Sequence, residues 1–133
     1  MEQSKPKLIL LVDDDIEILK ALAKTLEREG YSVVSYHNAE VALMEIKHGQ
    51  PLFDLVITDE SMPGMRGMEF LVALKKIWPD LPVIIMTAFG DWGPYMEAMR
   101  AGAFDFLTKP VNKSHLLTVV QRALSSVHAP PSA

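Results

Sequence analysis

"LILLVDDD", residues 8–15, runs five apolar residues directly into three aspartates. A continuous apolar run of this length, bounded by polar residues, suits a strand covered on both faces, as in a parallel sheet. Asp13, Asp14 and Asp15 then crowd at its carboxyl end. Two unit charges about 4 Å apart cost ~1 kcal/mol in water and ~4 kcal/mol at the effective dielectric near a protein surface. A helix N-terminus offsets only ~0.3–1 kcal/mol per acid. The stretch therefore asks for a further source of positive charge.

Working outward, short apolar runs alternate with segments of helical period five times, the pattern of an α/β fold with a parallel sheet between two layers of helices. "LILLV" (8–12), "SVVSY" (32–36), "DLVIT" (54–58), "PVIIMT" (82–87) and "DFLT" (105–108) read as strands. The first helix spans Ile16 to Glu29, closed by Gly30, and Asn38 caps a second that ends at "HGQP". "DESMPGMRG" (59–67) is a loop, followed by a third helix from about Met68 to Ile77. Pro94 suits a first helical position, so the fourth helix is predicted from there to Gly102, with Trp92 in the preceding loop. The fifth runs from about Ser114 to Val127. The alternation gives an α/β fold without fixing the strand order; a flavodoxin-like, doubly wound (βα)5 sheet with order 2-1-3-4-5 is the arrangement expected for it.

The bulk composition fits one ordinary domain. The chain has 133 residues, 49% hydrophobic and 23% charged, and no cysteine, which excludes disulfides, thiol redox chemistry and thiolate metal sites. A core of this size needs no staple. The apolar stretches are strand-sized and "MEQSKPK" has no hydrophobic signal region, so a cytoplasmic location is expected, with no membrane contact. A net charge of −4 with scattered Lys and Arg argues against nucleic-acid binding by this segment. His37, His48, His115 and His128 show no ligand spacing and read as surface residues, whereas Met44, Met96 and Met99 are expected to fill gaps in the core.

In open parallel sheets, ligands bind beyond the carboxyl ends of strands where the strand order reverses. The chemically reactive residues collect at those ends: Asp13 to Asp15 after the first strand, Asp59 after the third, Thr87 after the fourth and Lys109 after the fifth. With order 2-1-3-4-5, the acids after the first strand face Asp59. A hard, oxygen-seeking cation answers the repulsion: Mg²⁺, which accepts one or two carboxylates and leaves positions for phosphate oxygens, with Mn²⁺ able to substitute. Metal, carboxylate, hydroxyl and ammonium together suit phosphoryl transfer. Asp59 is the expected nucleophile, Asp13 and Asp14 the cation's ligands, and Thr87 and Lys109 the partners of the phosphoryl oxygens. Asp15 is assigned to capping the first helix.

"LVDDD", "DLVITDESMPGMRGMEFL", "VIIMTA" and "AGAFDFLTKP", in this order, resemble blocks of the response-regulator receiver domain of bacterial two-component signalling. The resemblance covers about residues 7–127, which sets an expected receiver domain over 1–127 and a tail or cut linker over 128–133. It implies that Asp59 accepts phosphate from a histidine-kinase phosphohistidine, so that the partner is a sensor kinase or phosphotransfer protein. It implies that the Ser61 backbone carbonyl joins Asp13, Asp14 and Asp59 around Mg²⁺, and that Lys109–Pro110 is a cis peptide. It further implies that Thr87 and Phe106 act as switch residues, altering the face of the fourth helix, fifth strand and fifth helix to control an output. "AGAFDFLTKP" looks most like receivers of nitrogen-regulator-type transcription activators. The apolar surplus expected on the fifth helix (Leu116, Leu117, Val119, Val120, Leu124, Val127) suggests that this face forms a homodimer. Two departures stand out: Arg66 replaces a frequent aspartate, and Gly93–Pro94 falls where the fourth helix often starts.

Rival readings exist. Asp13-x-Asp15 after a first strand also fits a haloacid-dehalogenase-type phosphatase with Asp13 as nucleophile, but that family's Gly-Thr after the second acid is missing. A receiver-like interaction module that takes no phosphate is opposed by the full set of acids, Thr87 and Lys109. Flavin or dinucleotide binding would need a glycine-rich phosphate turn where three negative charges stand. Trp92, between Gly90 and Gly93, is expected partly exposed, contacting a partner or gating the site.

Overall fold

The computed structural model describes residues 5–49, 51–88 and 92–125, without the side chains of Trp92 and Pro94. Five parallel strands, β1 (Leu8–Val12), β2 (Ser32–Tyr36), β3 (Leu55–Asp59), β4 (Val83–Ala88) and β5 (Asp105–Lys109), form one sheet in the order β2-β1-β3-β4-β5. Five helices alternate with them: α1 (Ile16–Arg28), α2 (Ala39–Lys47), α3 (Gly67–Ile77), α4 (Trp92–Arg100) and α5 (Lys113–Ser125). The fold class and strand order expected from the sequence are those observed.

The two-residue period of a strand sorts the apolar runs onto two faces. Leu10 and Val12 of β1 join Val56 and Ile85 beneath α2 and α3, where Phe70 and Leu74 are fully buried. Ile9 and Leu11 turn the other way, to Ile57 and Ile84 under α1 and α5, where they meet Leu26, Val119 and Val120. Each such side chain contributes ~1.5–3 kcal/mol on leaving water, and that double cover is why "LILLV" carries no polar alternation. At the sheet's edge, β2 is only partly covered, with Ser32 and Ser35 exposed.

Local chemistry fixes the ends. Asp15 caps α1, its carboxylate accepting from the backbone N–H of Glu17 at 3.0 Å and Ile18 at 3.2 Å, as expected. Gly30, at φ +95°, closes α1 by donating to the Glu27 carbonyl while Tyr31 donates to that of Leu26, the paired bonds of a Schellman motif. Asn38 caps α2 through Val41 N–H at 2.8 Å.

Several boundaries differ from those read in the sequence. β3 ends on Asp59 itself, because Asp59 pairs with Met86 and Glu60 N–H donates to the Met86 carbonyl. β4 lies one residue later than expected, and β5 extends to Lys109. α4 begins at Trp92 rather than near Pro94. Proline is tolerated at the third position because the first-turn N–H groups have no intrahelical partner to lose. Trp92 is thus helical rather than in a loop, and its side chain lies outside the described residues, as do the tail at 128–133, His128 and Val127.

Met44, Met96 and Met99 are exposed, correcting the expectation of core filling. α4 meets the core through Ala98, and a small contact residue leaves its methionines facing outward. The surplus on α5 is also smaller than expected: Leu116, Val119 and Val120 are buried, while Leu117 and Leu124 are half-buried against the same core. His37, His48 and His115 are exposed. Among the described residues, no helix is long and apolar enough to cross a membrane.

Candidate functional site

At the carboxyl edge of the sheet, the central strands β1 and β3 deliver their acids to one place. Asp13 follows β1 and is fully buried; Asp59 ends β3 and is 5% exposed; Asp14 is open to solvent. One carboxylate oxygen from each lies within 4.8 Å of the others. The three consecutive aspartates thus divide: two enter the cluster, and the third caps a helix.

Lys109, at the end of β5, reaches across. Its Nζ stands 2.8 Å from Asp13 Oδ2 and 3.1 Å from Asp59 Oδ1. One ammonium pairs with two of the three carboxylates. Burial pushes the Asp59 carboxyl above its usual range, repulsion from Asp13 adds to this, and the attraction of Lys109 only partly opposes them. Burial acts on Lys109 in the downward sense, but its bonds and attraction to Asp13 and Asp59 prevail and hold the ammonium above its ordinary value.

Asp13 Oδ1 accepts Asp15 N–H at 2.9 Å. Asp13 Oδ2, also buried, meets the Lys109 ammonium at 2.8 Å. Three carboxylates within 4.8 Å of one another, two of them buried, are a donor set suited to a hard divalent cation.

Thr87 is buried on β4, one residue past the partner of Asp59, and pairs with Thr108 on β5. The pleat puts it on the same face as Val83 and Ile85, beneath α4 rather than with Met86. Phe106, opposite Ile85, shares that face. Its ring packs on Tyr95 of α4 with centroids 4.1 Å apart, a contact the sequence reading did not include. Ser61 is exposed in the loop two residues past Asp59. The Lys109–Pro110 peptide is cis, as the resemblance implied.

The sequence reading passed over Glu60 and noted Arg66 only as a departure from a frequent aspartate. Glu60, although charged, is buried, and it accepts from Arg66 Nε at 3.0 Å and Met68 N–H at 2.8 Å. Arg66 is also the N-cap residue of α3, its own N–H donating to Glu69 Oε1 at 3.0 Å. The available signal was an opposite charge pair bracketing Pro63–Gly64, six residues apart.

The response regulator receiver domain model matches residues 9–121. The chain belongs to the response regulator receiver domain family. Its relatives include the transcriptional regulatory protein GlrR of Escherichia coli, 42% identical over 120 residues, which make up 90% of this chain and 27% of that protein. The DNA-binding transcriptional regulator NtrC of Azospirillum brasilense is 39% identical, over 94% of this chain and 25% of its own. Among solved structures, a receiver domain protein from Clostridium thermocellum superposes with a TM-score of 0.84 at 36% identity, covering 89% of this chain and 94% of that one. The receiver domain of NtrX from Brucella abortus gives 0.83 at 34% identity, covering 90% and 99%. The receiver domain spans about a quarter of the length of the transcriptional regulators it matches. This membership makes the chain a regulatory domain and does not favour the phosphatase reading.

Proposed function

We propose that this receiver domain is a phosphoacceptor switch in which Asp59 takes a phosphoryl group from the phosphohistidine of a sensor kinase. A carboxylate oxygen of Asp59 forms the new P–O bond as the P–N bond breaks, and the imidazole leaves. The observation that carries the reading is the convergence of Asp13, Asp14 and Asp59, with one carboxylate oxygen of each within 4.8 Å of the others. Those acids, with the Ser61 carbonyl, would hold Mg²⁺, Mn²⁺ being a substitute, and the ion would supply neutralising charge to the phosphoryl oxygens. Lys109, already poised between Asp13 and Asp59, is the cation that meets the added charge, and Thr87 is the hydroxyl that turns to it. These groups also assist the domain's own phosphorylation and dephosphorylation.

The added charge biases two packings of the α4-β5-α5 face through Thr87 and Phe106. Moving that balance from 1:99 to 99:1 requires ~5.5 kcal/mol of preference, within reach of a few charge-assisted hydrogen bonds. The outward Met96 and Met99 of α4 offer apolar surface for a homodimer or an output partner there. The setting is a cytoplasmic transcription regulator whose DNA contacts are made by other domains.

Incubation with a small phosphodonor and Mg²⁺, read by intact mass, tests the assignment. Wild type should gain one phosphate and Asp59→Asn none; a gain in both would move the acceptor elsewhere.

A further inference from the structure

The loop after Asp59 is fastened to a single residue. Three consecutive positions bond to Glu60: Arg66 through its guanidinium, with Nε at 3.0 Å and Nη2 at 2.6 Å from Glu60 Oε2; Gly67 N–H to the Glu60 carbonyl at 3.0 Å; and Met68 N–H to Glu60 Oε1 at 2.8 Å. Glu69 adds a fourth tie through Arg66 N–H. Gly67 is pressed so closely on β3 that a Cβ there would stand 2.3 Å from the Asp59 carbonyl oxygen. The segment 60–67 is therefore a closed ring seated on the phosphoacceptor's own backbone, with Ser61 inside it.

A buried carboxylate is tolerated only when paired and hydrogen-bonded. An aspartate at position 66 would set a second negative charge against Glu60, whereas arginine presents a fork that fits it. Arg66 and Glu60 are thus matched to one another, and what they hold is the peptide that bears the Ser61 carbonyl.

We infer that the Glu60–Arg66 pair positions the cation site, fixing the Ser61 carbonyl relative to Asp13, Asp14 and Asp59, a role that rests on the Mg²⁺ reading above. Neither side chain touches the ion; both act through the loop.

The test measures the Mg²⁺ dissociation constant calorimetrically, alongside melting temperature, for wild type, Arg66→Ala, Arg66→Lys, Glu60→Gln and the double variant Glu60→Gln/Arg66→Ala, all below their melting points. Arg66→Ala should weaken Mg²⁺ binding about tenfold, the low end for loss of an outer support. Arg66→Lys keeps the charge without the fork and should fall between Arg66→Ala and wild type; it carries the test if Arg66→Ala does not fold. Glu60→Gln keeps the acceptor for Met68 and should lose less. The double variant should bind better than Arg66→Ala alone, because the unpaired buried charge is gone. Wild-type Mg²⁺ affinity in folded Arg66 variants, with only the melting temperature lowered, would overturn the positioning role. Absence of Mg²⁺ binding by wild type would instead overturn the reading on which it rests.

Discussion

The two ends of the central sheet treat carboxylates in opposite ways. At the amino end, Asp54 accepts Leu8 N–H at 2.8 Å and its own N–H donates to the Leu8 carbonyl at 2.8 Å, so one acid closes the junction between β1 and β3. At the carboxyl end, three acids converge while one ammonium pairs with Asp13 and Asp59, and Asp59 is held above its usual titration range. Both ends belong to the same two strands. The first arrangement stabilises the fold as it stands, whereas the second leaves repulsion in place that only an added positive charge relieves. A fold keeps such a conflict where function needs it.

The largest effect is expected where the strained end meets the backbone. Gly67→Ala drives a Cβ into the Asp59 carbonyl and within 2.8 Å of Glu60 Cα. Backbone cannot give way as a flexible side chain does, so a loss of about 3 kcal/mol is expected in urea unfolding, the upper end for overpacking. A smaller and opposed pair separates the two ends. Asp54→Ala strands Leu8 N–H and should cost about 1 kcal/mol, while Asp59→Asn, in Mg²⁺-free buffer, should raise the melting temperature at neutral pH.

The sign of the latter follows from linkage. A carboxyl whose native pKa is raised binds its proton more tightly folded than unfolded. Its favourable contribution is therefore present below the unfolded value of about 3.9 and lost as pH rises through the native one. Net of Lys109, the ionised form at pH 7 is a cost, which Asn removes. The advantage of Asp59→Asn should shrink as pH falls toward 4, a trend that melting curves across that range will check; a constant difference would contradict it. The smallest effect belongs to Asp15→Ala, which removes an exposed helix cap for about 0.5 kcal/mol and should leave Mg²⁺ affinity unchanged, separating the third aspartate from the first two.

What the sequence discloses follows from the range of the interactions involved. "LILLV" reads as a doubly covered strand because period and polarity are local, and Asp15 reads as a cap because the N–H groups that donate to its carboxylate lie two and three residues on. Asp13, Asp59 and Lys109 become one site only through the strand order, which the alternation of elements leaves open and the flavodoxin-like expectation supplies. The burial of Glu60 is not marked in the sequence, since it is set by α3 folding back over β3, and without that burial the sequence gives Arg66 no partner. Tyr95 on Phe106 depends on the rotation of α4, and so does the outward turn of Met96 and Met99. Helix rotation is weakly marked where the contact residue is a small alanine.

The central claim is that the carboxylates at the carboxyl end are gathered for a divalent cation. Calorimetric titration with Mg²⁺ of wild type and Asp14→Ala tests it most directly, because Asp14 is exposed and its loss leaves the core intact. Wild type should bind at or below millimolar Mg²⁺, and Asp14→Ala at least about tenfold more weakly with no fall in melting temperature. No binding by wild type at millimolar Mg²⁺, or equal affinity in both proteins, would contradict it.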